Sequence, residues 1–334
     1  MKSAGNSLNR SFFNRSRAVR AALVLGALCL AGFLFIRVFP LQYLDFSDRL
    51  RLRLAGLRSI ESPAGDPGVE WRSPDCATRG ADACTCVVLV HGMGDSVLTW
   101  KKMMTGRDWV ARLKKPIRLV AWDLPGHGRS PEPDRNPNGE LQLRAQSMAQ
   151  RLLGATQHLG CGPNTVWVGN SLGGWVSTWV ALKRPDQVKA LILAAPAGMK
   201  SQRVASLGSS LIAAPTVESL RQFRQQAYAK PQKDYPEWVW RAAVERVKKS
   251  PVARVRSAQL PEDDLDSPIK TLQVHTQVLW GKQDRILPIG QSQGFREIPK
   301  QFLVDWREVE DCGHLPQKEC PGPLIDMILE AVNR

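Results

Sequence analysis

No carboxylate precedes Asp45, and across the 334 residues Asp and Glu number 31 against 46 Lys and Arg. The resulting formal charge of +15 invites a nucleic-acid reading. Nothing else supports it: the chain lacks zinc-finger spacing, an aromatic-interleaved basic motif and a recognition-helix pattern. Metal ligation is equally poorly served, since Cys84-Thr85-Cys86 is too tight for a typical structural zinc pair. No internal repeat stands out. Histidine is scarce enough, at five residues, for each one to be weighed as a base.

What is present fits a globular protein, with 43% hydrophobic and 23% charged residues. The length allows one large α/β domain plus an appendage. Basic residues concentrate around an apolar N-terminal run and again between Lys200 and Arg256. Anionic lipid headgroups attract such clusters, so a membrane-facing surface suits them. For any single cluster, solvated surface charge is the plainer alternative.

Residues 1–20 form a basic tail carrying Lys2, Arg10, Arg15, Arg17 and Arg20. Sixteen uninterrupted apolar residues follow, Ala21 to Ile36, before Arg37 and Val38-Phe39-Pro40-Leu41. That length is at the short edge for a spanning helix, and Lys and Arg can snorkel at either end. A cleavable signal peptide is the rival, but no clean Ala-x-Ala site follows the core. We expect a transmembrane signal anchor over 21–41, the N-terminus cytoplasmic and the remaining chain on the non-cytoplasmic side. Arg37, Arg49, Arg51 and Arg53 weaken that charge bias. Residues 42–82 read as a membrane-proximal connector. Leu50–Leu54 fits either an edge strand or a surface helix, and Pro63, Gly65, Pro67, Gly68 and Pro74 read as loop.

From Cys86 the pattern alternates. Cys86–Val90, Leu119–Trp122, Thr165–Val168, Ala190–Leu193, Gln277–Trp280 and Phe302–Val304 are apolar runs of the kind found in strands covered on both faces. Leu141, Ala145, Met148, Leu152, Ala155 and Leu159 fall on one helical stripe. The expectation is an α/β fold with a mostly parallel, doubly covered sheet, its core at 83–200 and 266–334. Residues 201–265 break the alternation as a helical cap, with helices around Val217–Ala229 and Pro236–Lys249. Leu220, Phe223, Trp238, Val239 and Trp240 can line a pocket there, or pack the insert onto the body, which we expect for most of them.

Gly169-Asn170-Ser171-Leu172-Gly173-Gly174 follows an apolar run and precedes a helix. By itself Gly-x-Ser-x-Gly is weak, and an ordinary Gly-rich turn is the bland alternative. As a strand-to-helix elbow it would expose Ser171 Oγ and offer the Leu172 N–H to an oxyanion. His91-Gly92-Met93-Gly94-Asp95 follows the first strong strand and nominates Met93 as the second oxyanion donor. His91 sits where a structural hydrogen bond suits it better than proton transfer. Asp123 and His127, in Asp123–Ser130, read as loop-fixing residues. Asp284 lies just past a late strand and His314 on the loop after the last one. A histidine base needs an acid to hold its tautomer, and the order Ser171, Asp284, His314 is the one strand-end loops deliver. Asp305, Glu310 and Asp311 are rival acids. His158, at a helix end, and His275, before a strand, are less suitable bases.

Together His91–Asp95, Asp123–Ser130, Gly169–Gly174, Asp284–Pro288 and Gly313–Pro316 resemble the α/β-hydrolase fold family, over roughly residues 85–200 and 265–334. The elbow is similar to those of membrane-anchored monoacylglycerol-lipase-like members and of carbon–carbon bond hydrolases. Ala194-Ala195-Pro196-Ala197-Gly198 resembles both groups. The carbon–carbon hydrolases typically carry an aromatic residue after the histidine. Leu315 stands there, which favours the ester hydrolases. The resemblance implies a serine hydrolase of carboxylic esters, lipase or esterase in type. Its site would be Ser171, Asp284 and His314 with Met93 and Leu172, and its substrate an acyl ester, lipid included. No cofactor, metal, nucleic acid or obligate protein partner is implied. A carbon–carbon hydrolase and an inactive binding module are the alternatives.

Of seven cysteines, Cys29 lies in the apolar run. In an exported domain the other six allow up to three bridges. Cys312 with Cys320, and Cys76 with Cys84 or Cys86, are candidates. Free buried thiols would fit a cytosolic domain instead.

Overall fold

The computed structural model describes residues 23–79, 84–133, 135, 139, 142–204, 215–250 and 252–334. The basic tail 1–20, Ala21 and Ala22 of the apolar run, Leu141 of the helical stripe and positions 205–214 of the insert lie outside the described residues. The chain divides into two units, Met1–Ser47 and Asp48–Arg334.

In the first unit the apolar run forms helix α1, Leu23–Val38, and Pro40 opens helix α2, Pro40–Leu54. Proline lacks an N–H and suits a helix start rather than an interior, so one continuous helix is interrupted here. Among the described residues no single helix is long and apolar enough to cross a membrane. The α1–α2 pair passes by length and composition together, but is bent by 107°. The continuous span expected over 21–41 is therefore not what the backbone displays. Leu50–Leu54, open between strand and helix, is helical, and its alternation resolves into a buried Leu52 between exposed Leu50 and Leu54.

The second unit is built on one eight-stranded sheet in the order β1-β2-β4-β3-β5-β6-β7-β8. The strands are β1 Arg58–Glu61, β2 Pro67–Arg72, β3 Thr85–Val90, β4 Ile117–Trp122, β5 Thr165–Asn170, β6 Ala190–Ala194, β7 Thr276–Gly281 and β8 Leu303–Val309. From β4 to β8 all pairings are parallel, and the apolar runs of the sequence account for these six strands. Side chains alternate across a strand. Val88 and Val90 accordingly join one apolar cluster, and Val87 and Leu89 the other. Helices α3 (Ala145–His158) and α4 (Leu172–Lys183) cover the first face through Met148, Leu152, Val176 and Val180. The last helix, Pro321–Asn333, covers the second with Leu324, Met327 and Ile328. Coverage on both sides leaves no polar face, hence the unbroken apolar runs.

The connector departs from its loop reading. β1 and β2 form an antiparallel hairpin that adds to the sheet along β4. Pro67 is tolerated as the first residue of a strand, and Gly68 is needed because a Cβ there would lie 2.6 Å from Ala121 O. A buried pair, Glu70 Oε1 with Arg118 Nε, joins β2 to β4. Three disulfides close: Cys76–Cys84, Cys312–Cys320 and Cys86–Cys161. The last ties β3 to the turn after α3 and was not among the expected pairs.

Between β6 and β7 the described insert carries helices α5 (Val217–Ala227), α6 (Glu237–Lys249) and α7 (Val252–Ala258). A Thr216 capping box starts α5, with Ser219 N donating to Thr216 Oγ1. Leu220, Trp240 and Val244 form a small core between α5 and α6. Most of the insert's apolar residues were expected to pack it onto the body; Leu220 and Trp240 pack instead against one another between α5 and α6. The C-terminal helix Pro321–Asn333 is α8.

Candidate active site

Strand order reverses about β3, which lies between β4 and β5, and the loops leaving β3 and β5 flank that reversal. Open α/β sheets place ligands at such a switch point. Ser171 sits there on the turn from β5 into α4, with φ 53° and ψ −120°. A side-chain residue in that region stores about 1–3 kcal/mol of strain and persists only when its surroundings dictate it. They do: Ser171 N donates to Ala194 O at 3.2 Å, and Ser171 O accepts from Trp175 N at 3.1 Å and Ala197 N at 3.0 Å. The flanking glycines are needed for close approach. A Cβ on Gly169 would lie 2.3 Å from Gly173 O, and one on Gly173 would lie 2.1 Å from Val90 O.

The β3 loop runs directly alongside, since a Cβ on Gly92 would meet Ser171 Cβ at 3.2 Å. Among the described residues neither Met93 N–H nor Leu172 N–H has a hydrogen-bond acceptor. Leu172 is also the first residue of α4, where the helix dipole favours an anion.

His314 and Asp284 are brought together. His314 Nδ1 lies 2.7 Å from Asp284 Oδ2, and both side chains are buried. Asp284 Oδ1 accepts from Ile286 N at 2.9 Å and Leu287 N at 2.8 Å, so the carboxylate is held by three donors. That arrangement orients the acid and requires His314 to carry its proton on Nδ1, leaving Nε2 as a base. Neither Ser171 Oγ nor His314 Nε2 hydrogen-bonds to a described residue. The rival acids are engaged elsewhere. Asp305 pairs with Arg307 at 2.6 Å, Glu310 with Lys282 at 2.6 Å and Asp311 with Lys230 at 3.2 Å. His158 and His275 are exposed.

His91 is fully buried; its Nε2 accepts from Leu124 N at 3.0 Å and its Nδ1 lies 2.8 Å from Gly92 O. It fixes the loop, as expected. Asp123 likewise accepts from Val97 N at 2.7 Å and Arg129 N at 3.0 Å. His127 Nδ1 donates to Pro125 O, while Nε2 is buried with no partner among the described residues. Burial, with His91 close by, pushes the His127 imidazole down to about 4. A neutral buried histidine must charge on unfolding, where its value is about 6.5, so the unfolded state binds more protons between those values. Stability from this group is fully present above about 6.5 and is lost as pH falls toward 4, by about 3 kcal/mol. Urea unfolding at several pH values checks this: His127→Gln should flatten the slope in that window, and an unchanged slope sinks the assignment.

Several residues of the site have roles that the sequence reading did not assign, although Asn170 and Asp95 stand within its motifs. Asn170 Nδ2 donates to Ala194 O at 2.9 Å and His314 O at 3.0 Å, linking the elbow to the histidine loop. Gln317 Nε2 bridges Asn170 Oδ1 and Thr99 Oγ1, each at 3.0 Å. Lys318 Nζ reaches Asp95 Oδ2 at 2.8 Å. Burial alone would raise the Asp95 carboxyl, but the Lys318 ammonium overrides it and holds Asp95 below the usual range. Glu319 accepts from Gly313 N at 3.1 Å and from Ala229 N at 2.7 Å, while Ala227 O accepts from His314 N at 2.8 Å. The end of α5 therefore shares its polar groups with the histidine loop. A buried polar side chain near the motifs was the one available signal, and sequence spacing does not say which polar residues are buried.

Pimeloyl-[acyl-carrier protein] methyl ester esterase of Klebsiella pneumoniae is 35% identical over 109 residues, 33% of this chain and 35% of that protein, so the match spans about a third of the esterase. Lipase 1 of Psychrobacter immobilis is 27% identical over 280 residues, 81% of this chain and 82% of its own. Among solved structures, a membrane phospholipase A described as a bacterial virulence factor superposes with a TM-score of 0.69 at 21% identity, covering 95% of this chain and 98% of that one. That likeness is one of fold. The pattern of the alpha/beta hydrolase family matches residues 87–327, a stretch that takes in the loops carrying Met93, Ser171, Asp284 and His314. The chain belongs to the alpha/beta hydrolase family.

Proposed function

We propose that the chain is a serine hydrolase that cleaves a carboxylic ester through an acyl-enzyme. The observation that carries this reading is the 2.7 Å contact of His314 Nδ1 with Asp284 Oδ2 beside a serine held at φ 53°. Ser171 Oγ attacks the ester carbonyl carbon as its proton passes to His314 Nε2. The N–H groups of Met93 and Leu172 hold the oxyanion, and Asp284 stabilises the imidazolium. Collapse of the tetrahedral species breaks the ester C–O bond, and the leaving alkoxide takes the proton from Nε2. Water then repeats the sequence at the acyl carbonyl, releasing the acid and restoring Ser171. The chemistry calls on no cofactor.

The substrate class we favour is an acyl ester presented by a lipid, in keeping with the lipase and the phospholipase among the similar proteins. We further place the catalytic domain at a membrane, on the non-cytoplasmic side, held by the 21–41 segment, with 201–265 as a cap over the 83–200 and 266–334 core. The exposed apolar side chains of α1, Leu23, Leu28, Phe33 and Phe35 among them, support the attachment. Fractionation of cells expressing the full chain, followed by assay of each fraction on p-nitrophenyl esters, tests both statements. Esterase activity should sediment with membranes and resist a carbonate wash. Activity in the supernatant overturns the anchor, and no turnover in any fraction overturns the ester hydrolase.

A further inference from the structure

The basic insert holds a feature that ester cleavage does not use. A cleft of about 430 Å³ opens between α5, the start of α6 and the loop after β7. Neither Ser171 nor His314 lines it. Arg221, Arg224, Lys230 and Arg285 do, against the single carboxylate of Asp234. Two of these cations are neutralised: Arg221 lies 3.1 Å from Glu237 and 3.5 Å from Asp234, and Lys230 lies 3.2 Å from Asp311. Among the described residues no carboxylate lies within ion-pair distance of Arg224 or Arg285, Asp234 meeting the Arg224 charge only at longer range, so the cleft keeps an excess of positive charge.

Arg224 is half-buried and Arg285 exposed, and each is restrained by its neighbours. The Arg224 guanidinium stacks 4.6 Å from the Tyr235 ring centroid and 5.8 Å from that of Trp240. Stacking occupies the face of the group and leaves its N–H edge free, the edge that forks onto planar or tetrahedral oxyanions. Arg285 follows Asp284 and is tethered to α5, its N donating to Gln226 O at 3.3 Å and its Nη1 to Gln225 O at 3.4 Å. Two guanidiniums restrained in this way lose less rotamer freedom on binding than free surface side chains.

We infer that this cleft binds a phosphate-class oxyanion between Arg224 and Arg285. Lipid phosphate and free phosphate share that chemistry. The inference goes beyond ester cleavage and does not rest on it, because its test reads binding alone. Calorimetric titration of the detergent-solubilised full chain at fixed ionic strength uses inorganic phosphate and sn-glycerol 3-phosphate, with chloride as reference. Saturable binding of at least one phosphate probe over chloride is expected. Arg224→Gln and Arg285→Gln should each weaken it on the order of tenfold, as expected for loss of a charge-assisted hydrogen bond. Lys270→Gln, which removes a positive charge outside the cleft, should leave it unchanged. Tighter binding of sn-glycerol 3-phosphate assigns the cleft to a headgroup, and tighter binding of inorganic phosphate assigns it to the free ion. Absence of saturable binding in the wild type overturns the inference, and so does a loss in Lys270→Gln equal to that in the arginine variants.

Discussion

Ser171→Ala is expected to lower kcat on p-nitrophenyl esters by about 10⁶-fold, because removing a nucleophile costs as much as removing the whole catalytic unit. Labelling by a fluorophosphonate probe should vanish with it. The substitution takes away only Oγ. The three backbone hydrogen bonds that hold position 171 at φ 53° do not involve the side chain, and alanine meets the same strain as serine there. Melting temperature should therefore stay close to wild type, which separates loss of chemistry from loss of fold. Labelling of the alanine variant equal to that of the wild type would sink the assignment of the nucleophile. A wild type that neither turns over esters nor takes the probe would instead favour a binding module built on a hydrolase fold.

Asp284→Asn should cost about 10⁴-fold in kcat with little change in KM, the size of effect seen when a triad histidine is held in the wrong tautomer. The local geometry explains why a near-isosteric change does so much. Asp284 Oδ1 accepts from the N–H groups of Ile286 and Leu287, so an asparagine must keep its carbonyl oxygen on that side. Its amide NH₂ then replaces Oδ2 and donates toward His314 Nδ1. His314 must give up the proton on Nδ1 and carry it on Nε2, where it can no longer accept one from Ser171. Steady-state kinetics on the folded variant decide the matter. An Asp284→Asn enzyme within tenfold of wild type would return the role to another acid, and Asp305→Asn, Glu310→Gln and Asp311→Asn should each remain near wild type.

The parts of the site legible in the chain were those whose chemistry ties a residue type to a local backbone. Ser171 needs glycines at 169 and 173 because backbone atoms pass within 2.3 Å of where their Cβ atoms would be. Such requirements write themselves into adjacent positions. The six parallel strands were legible for a related reason, since burial on both faces demands apolar residues without interruption. The hairpin β1–β2 was not, because an edge pair carries Pro67 and Gly68 and has no such run. Cys86–Cys161 escaped for want of any local signal: its partners are 75 residues apart and become neighbours only when β3 and α3 pack.

By itself, then, the sequence determined the alternating α/β layout, the elbow at Ser171 and the identity of Asp284 and His314 as candidates. All of these are set by covalent neighbours and side-chain periodicity. Tertiary structure alone decided which acid meets His314, because that choice depends on the approach of the loops after β7 and β8. It also decided that Asn170, Gln317 and Glu319 hold those loops, and that Arg224 and Arg285 face one cleft. Contacts between residues far apart in sequence cost chain entropy that only the assembled core repays, so no local pattern foretells them.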